Sequence, residues 1–392
     1  MSPAAATAPA HRRICVLSHD YGYGDDLMYY GEIFARYRRH FPRTRIVLDR
    51  RRRVRNPHGL ELWPAAPYWR RRITRQVAGV AYDTEVVVPS PGLAWPLLRW
   101  RPDVFVFVEF TPICLFGLVV SLLIPKSRRV VLIESDPAAR GGVTRGPVLR
   151  LKRLACRLMH VAHTNTEAGR RYLEDVLNCA PQKILVAPYL TSCPPADADR
   201  PPEALADRPA VEVLFVNSVT RRKGAEVLVE ALRRCAPATR AGLHVTIVGD
   251  GDRRDAAAAL VEEAELGEIV TFVGRKRYDE LGRFYRGRDI LVSPTFVDYR
   301  SLVSFEGLGY GLALLISSAD GAAHETVLEN ENGFVFDPHA PTDLARRLDQ
   351  LVGDPAMLAA FKARSLALYR ERFSLERAAA NLAEATRRAL AA

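Results

Sequence analysis

Lysine is scarce in this 392-residue chain. Only Lys126, Lys152, Lys183, Lys223, Lys276 and Lys362 occur, so arginine carries almost all of the net charge of +11. Paired cysteines are lacking as well. Cys15, Cys114, Cys156, Cys179, Cys193 and Cys235 are scattered, with no CxxC spacing and no histidine cluster beside them. That argues against a zinc site and leaves no metal ligand set to name. The opening residues, MSPAAATAPAHRR, lack the apolar core of a secretory signal. The expectation is therefore a cytoplasmic protein with reduced thiols. An unbroken membrane-length apolar run is missing too. VFVFVEFTPICLFGLVVSLLI, residues 104–124, is interrupted by Glu109, Thr111 and Pro112. It reads as a buried strand followed by a buried helix. No RNA-binding motif accompanies the positive charge, and nucleic acid is not an expected partner.

What is present is a globular composition, 48% hydrophobic and 26% charged, in a chain too long for one ordinary core. In the first half, strands are predicted at 14–18, 45–48, 85–88, 103–108, 130–134 and 184–188, and helices at 27–40, 147–159 and 167–177. This alternation signals βαβ units and a parallel sheet. TSCPPADADRPPEALADRP, residues 191–209, has no apolar period and reads as a linker. The rhythm then restarts, with strands at 211–216, 244–248, 269–273, 290–293 and 314–317 and helices at 224–234, 252–265, 279–285 and 341–351. In the first of these helices Ala225, Leu228, Leu232 and Cys235 share one face. The predicted architecture is α/β, two doubly wound Rossmann-like domains facing a cleft. The expected division is 1–195, a linker over 196–209, 210–370, and a C-terminal helix over 371–392 that packs back across the domains.

Three stretches of the second half carry chemistry. In VNSVTRRKGAEVL, Lys223 and Gly224 open a helix just after a strand. Helix-start amides beside a cation suit a phosphate, and a solvated basic turn has the same composition. In IVGDGD, Gly249 and Gly251 allow a tight strand-to-helix turn, whether for a ligand or for the fold alone. In DILVSPTFVDYRSLVSFEGLGYGLALLISS, a strand is followed by a loop with Asp298, then by a short helix with Glu306 in its first turn. Two acceptor-only carboxylates can hold sugar hydroxyls, or serve a helix terminus and a loop.

Taken in this order, the motifs resemble the donor domain of family 4-type GT-B glycosyltransferases. Asn217 to Val219 with Lys223-Gly224 match a GRLxxxKG pattern, Gly249-Asp250-Gly251 a G-D-G turn, and Asp298 and Glu306 an ExxxxxxxE spacing with the tail FEGLGYGLALLIS. Residues 322–336 fit as well, with His324-Glu325 and Asn332-Gly333. The first half resembles the family less closely, through the glycine loop after strand one, the strand pair ending in Glu109 and Ser135, and AHTNTEAG at 162–169.

The resemblance implies a retaining, metal-independent and cofactor-independent glycosyltransferase with a nucleotide-sugar co-substrate, a UDP-sugar ahead of a GDP-sugar. It gives Lys223 the diphosphate, Glu306 the ribose hydroxyls and Asp298 the transferred sugar. The amides of Ser301, Leu302 and Val303 would approach sugar and phosphate, and the loop at Gly274 and Arg275 would lie along the base. Ser218 stands where the family has an arginine, and Arg221 or Arg222 is the candidate replacement. Asp298 is one methylene shorter than the family's first glutamate. In the acceptor-side first domain, Gly22 and Gly24 are candidate donor contacts in a cleft-lining loop, or parts of an ordinary strand-to-helix turn, and Glu109, Ser135 and Asp136 are candidate sugar or acceptor contacts, with Ser135 where relatives place a histidine. The acceptor is a hydroxyl of a glycan, a lipid-linked intermediate or a small metabolite. A sugar-nucleotide-binding partner subunit without transferase activity is the alternative.

All four tryptophans, Trp63, Trp69, Trp95 and Trp100, lie among arginine runs within 50–101. Such a segment suits peripheral contact with the inner face of a membrane, and equally tryptophans half-buried against a sheet.

Overall fold

The computed structural model describes residues 11–18, 28–48, 56, 58–65, 67–77, 80–135, 145–194 and 210–392. The chain divides into two compact units, residues 1–190 with Leu375–Ala392, and Thr191–Ser374. The expected linker at 196–209 lies outside the described residues.

The first unit contains β1 (Arg13–Ser18), α1 (Met28–His40), β2 (Arg43–Leu48), β3 (Glu61–Pro64), β4 (Pro67–Val77), β5 (Val80–Pro89), α2 (Ala94–Trp100), β6 (Val104–Val108), α3 (Pro112–Leu122), β7 (Arg128–Ile133), α4 (Gly146–Arg157), β8 (Val161–Thr164), α5 (Glu167–Arg171) and β9 (Ile184–Val186). Seven strands form a parallel sheet in the order β3-β2-β1-β6-β7-β8-β9. β6 reads VFVFV and every residue is buried, which a strand covered on both faces requires. α3 follows it, so residues 104–124 are a core strand and a helix. Residues 85–88, expected in this sheet, lie instead in β5, which pairs antiparallel with β4 as a separate hairpin. Ala180–Ile184 turns the chain into β9, whose expected continuation to 188 is not strand.

Two of the four tryptophans are used internally. The Arg45 guanidinium sits over the Trp63 and Trp100 rings, 4.3 and 4.4 Å from their centroids. A cation between two ring faces ties β2 to β3 and α2. Trp69 and Trp95 are exposed.

The second unit contains β10 (Val211–Val216), α6 (Ala225–Arg234), α7 (Pro237–Ala241), β11 (Leu243–Val248), α8 (Arg254–Glu263), β12 (Val270–Gly274), α9 (Tyr278–Tyr285), β13 (Ile290–Ser293), α10 (Val303–Gly309), β14 (Ala313–Ser317), α11 (Ala323–Thr326), β15 (Gly333–Phe336), α12 (Pro341–Gly353) and α13 (Pro355–Leu368). Its parallel sheet runs β12-β11-β10-β13-β14-β15. Strands β11 and β12 extend one way from β10, and β13 to β15 the other. The order thus reverses between β10 and β13, where open α/β sheets leave a crevice at the strands' carboxyl ends.

α14 (Leu375–Ala391) belongs to the first unit, packing on α1 and across β6 to β8. Its buried face is mostly alanine, which lets the helix approach closely: Ala378, Ala379, Ala383, Ala385 and Ala389. Tyr37 OH and Thr386 Oγ1 are 2.8 Å apart in that interface, and Asn381 Nδ2 donates to the Pro188 carbonyl at 2.7 Å. Helix α14 begins at Leu375, after a π-helical turn over Tyr369–Phe373.

Candidate functional site

The two strands at the reversal carry the two motifs with opposite charge. After β10 the chain makes a tight turn through Arg221, Arg222 and Lys223 and enters α6 at Gly224. Gly224 has φ +68, and a Cβ there would lie 2.2 Å from the Pro294 carbonyl oxygen. Only glycine lets the turn after β10 press this close to the loop after β13. The loop is also sewn on by hydrogen bonds. The Arg222 carbonyl accepts from Phe296 N at 2.8 Å and Thr295 Oγ1 at 3.0 Å. Arg222 Nη1 returns a bond to the Val297 carbonyl at 3.0 Å.

This docking brings Lys223, Arg222 and Asp298 into direct contact with one another. Lys223 Nζ donates to Asp298 Oδ2 at 2.5 Å, and Arg222 Nη1 donates to the same oxygen at 3.0 Å. Lys223 is 7% exposed. Burial works against the Asp298 charge, but the two cations outweigh it and hold the carboxyl down at about 2. Two cations converge on one carboxylate oxygen of Asp298, which sets two charged donors side by side at the crevice for an anionic ligand.

Asp320, not anticipated from the sequence, lies beneath this cluster. Its Oδ1 accepts from Ser301 N at 3.1 Å and Ala322 N at 2.9 Å. Its Oδ2 is buried without a hydrogen-bond partner. Backbone bonds Asp298 N to Ala319 O and Gly321 N to Asp298 O hold the two acidic loops side by side. Burial first, and then Asp298, push the Asp320 carboxyl up to about 6. The Ser301 amide, expected to face a phosphate, is therefore committed to Asp320. An acid three residues past a buried strand was the available signal.

Glu306 lies in the first turn of α10 as predicted, but it is 5% exposed and both of its oxygens are engaged. Ser192 Oγ donates to Oε1 at 2.6 Å, and Tyr285 OH donates to Oε2. Tyr278 OH stands 2.9 Å from Ser192 Oγ, and Tyr285 stacks on Tyr310. Its partners therefore include protein hydroxyls, beside any ligand. Burial pushes its carboxyl up to about 7. Unfolding returns it to about 4.5, so between these values the folded chain keeps a proton that the unfolded chain has released. Stability should fall as pH rises through that window, by on the order of 3 kcal/mol from this group. Asp320 acts in the same direction between 3.8 and about 6. Urea midpoints across pH 4.5–8 should fall more gently in Glu306→Gln than in the wild type, and parallel curves would remove Glu306 from the account.

The remaining loops of this edge interlock. Gly249 has φ +145 and a Cβ there would be 1.8 Å from the Asn217 carbonyl oxygen, so the G-D-G turn is pressed onto the turn after β10. Val219 N bonds to Asp250 O and Gly249 N to Gly274 O, each at 3.0 Å. Gly274, at φ +70, has open space where a Cβ would point, and Arg275 beside it is exposed. Leu302 and Val303 are half-buried at the start of α10. A bidentate pair fixes the loop before α10 to α11: Arg300 Nε and Nη2 donate to the Glu325 carboxylate at 2.7 and 2.9 Å, with the guanidinium over Phe305 of α10.

In the first unit, the sheet order reverses between β1 and β6. Glu109 ends β6 in a left-handed conformation, φ +61, which is strained for a glutamate. Its Oε1 accepts from Glu134 N at 2.8 Å, and burial raises its carboxyl. Ser135 is half-buried just after β7. Gly22, Gly24 and Asp136 lie outside the described residues. The AHTNTEAG segment is structural where it is seen: Asn165 Oδ1 accepts from Tyr189 N and Leu190 N, and Thr166 caps α5. Among the described residues no cluster of three or more His, Cys, Asp or Glu is placed to hold a metal.

Comparison with known proteins places this geometry in context. Residues 197–366 match the family described as glycosyl transferases group 1. The chain is 31% identical to the D-inositol 3-phosphate glycosyltransferase of Rhodococcus opacus over 242 residues, covering 58% of this chain and 53% of that protein. It is 29% identical over 142 residues to an uncharacterized glycosyltransferase of Methanocaldococcus jannaschii, 36% of each. The chain spans about half or less of the length of these curated relatives. Among solved structures, Anabaena HepE in complex with UDP superposes with a TM-score of 0.70 at 15% identity, covering 96% of this chain and 99% of that one. Sucrose-phosphate synthase from Thermosynechococcus elongatus gives 0.67 at 19% identity, covering 97% and 99%.

Proposed function

From a GT-B fold of two Rossmann-like units, and a second unit that matches the group 1 glycosyl transferases, we propose that this protein transfers a sugar from a nucleotide-sugar donor to a hydroxyl acceptor. The observation that carries the reading is the Arg222–Lys223–Asp298 cluster at the reversal of the second sheet. The reading is of the family 4, retaining type, with no metal or cofactor called on. HepE is described with UDP and with UDP-glucose, which favours a UDP-sugar here.

In this reading the diphosphate replaces Asp298 as the partner of Lys223 and Arg222. As the glycosidic bond breaks, the leaving diphosphate gains charge, and two fixed cations in a site with little water stabilise it more than they stabilise the bound donor. Asp298, released from Lys223, accepts hydrogen bonds from the sugar hydroxyls. Glu306 accepts from the ribose through a carboxylate that Ser192 and Tyr285 hold in one rotamer. Gly274, with no side chain, leaves room for the base. Glu109 and Ser135 are the acceptor-side candidates.

The test is a thermal-shift series with UDP, GDP, ADP and dTDP, followed by hydrolysis of the matching donor. A ligand that binds only the folded state at one hundred times its Kd stabilises by about 2.7 kcal/mol. Stabilisation by UDP alone, with slow release of sugar from its conjugate, is expected. No shift with any nucleotide would remove the donor site.

A further inference from the structure

The strongest surface feature of the first unit is apolar and basic. Two connections of the first sheet, β6-α3-β7 and β7-α4-β8, step in the same direction along the strand order. Right-handed crossovers therefore put α3 and α4 next to each other on one face of the sheet, opposite the face taken by α1. Both helices bury one side in the core, through Ile113, Cys114 and Leu118 on α3 and Leu149, Ala155 and Cys156 on α4. Their outward sides are also apolar. Val119, Leu122 and Leu123 are 61%, 50% and 65% exposed, and Val148, Leu151 and Leu154 are 49%, 47% and 55% exposed. Scattered exposed apolar side chains need no explanation, but six on and just after two helices of the same sheet face do.

The charge around them has one sign. α4, GPVLRLKRLACR, holds Arg150, Lys152, Arg153 and Arg157 and no acid, and α3 holds no charge at all. Between Phe110 and Thr166 the only acids are Glu134 and Asp136. Arg150 and Arg157 are exposed beside the leucines, as are Arg145 before α4 and Lys126 after α3. No described helix is long and apolar enough to cross a membrane. A short helix with an outward apolar stripe, basic flanks and no acid fits the boundary between headgroups and acyl chains of an anionic bilayer.

We infer that the outer surface of α3 and α4 docks on an anionic lipid surface, with Leu151 and Leu154 entering the acyl boundary and Arg150 and Arg157 meeting the headgroups. This surface adjoins the tryptophan- and arginine-rich segment at 50–101, since α3 packs on β5 and α2, and the inference does not depend on the donor reading.

The test is co-sedimentation of the full chain with phosphatidylcholine vesicles, with and without phosphatidylglycerol, at low and high salt. Binding to the anionic vesicles only, weakened by salt, is expected. Leu151→Glu with Leu154→Glu should weaken it at least tenfold, as should Arg150→Glu with Arg157→Glu. Both pairs are exposed, so melting temperature and nucleotide binding should stay at the wild-type values. Equal binding to neutral vesicles, no binding to anionic ones, or full binding by the leucine variant would overturn the inference. So would a concentration-dependent dimer that the leucine variant abolishes, because the face would then be a contact between copies of this chain.

Discussion

Lys223→Ala is expected to lower the rate of sugar transfer by roughly 10²–10³-fold, the usual cost of removing one fixed stabiliser of a charge that grows in the transition state. The expectation rests on the proposed donor site. Because the charge on the diphosphate develops as the bond breaks, kcat and kcat/KM should fall together. Lys223→Arg should not restore the rate. The lysine is 7% exposed under the loop after β13, and a planar guanidinium needs a wider slot than an ammonium. The substitution should leave the fold intact, since Asp298 keeps Arg222 as a partner. Steady-state kinetics with the donor identified by thermal shift would check this. A Lys223→Ala enzyme with normal kcat and a raised KM would show that Lys223 only binds the ground state.

The second large effect is on stability. Gly249→Ala places a Cβ 1.8 Å from the Asn217 carbonyl oxygen, in a backbone conformation, φ +145, that L side chains rarely adopt. The atom in the way is backbone, so no rotamer change relieves it. The strain and the displaced turn should cost roughly 3 kcal/mol or more. For a unit of this size that lowers the melting temperature by roughly 6–12 °C. Gly274→Ala is the matched control. Its φ is +70 and nothing lies within 4 Å, so it should lose only the modest backbone cost of a left-handed alanine. Calorimetric scans of the two variants should differ clearly; similar curves would mean that the G-D-G turn yields without penalty.

Much of the second unit was legible because its signals are local. The strands at 211–216 and 290–293 agree with the structure, and the start of α10 at Val303 follows from the spacing after Asp298. Lys223 and Asp298 meet because two adjacent strands place them there, which the βαβ rhythm already implies. The partners of Glu306 were not legible. Ser192 is 114 residues away in sequence, in a segment whose proline-rich composition signalled only a linker. α13 was missed although Asp354 caps it and Pro355 opens it, a start signal that was present. The β4–β5 hairpin was hidden because four arginines, three of them consecutive, interrupt β4, so its alternation is weak.

The position of α14 has a consequence for the order in which the protein is made. Residues 375–392 complete the unit whose other residues, 1–190, are synthesised before residues 191–374. Residues 191–374 can fold as soon as they are synthesised. The first unit must wait with the surface around Tyr37 and β6 to β8 uncovered until α14 follows. A nascent chain stalled near residue 374 would hold a finished second unit and an unfinished first one, and a truncation there would fail in the half of the protein farthest from the cut in sequence.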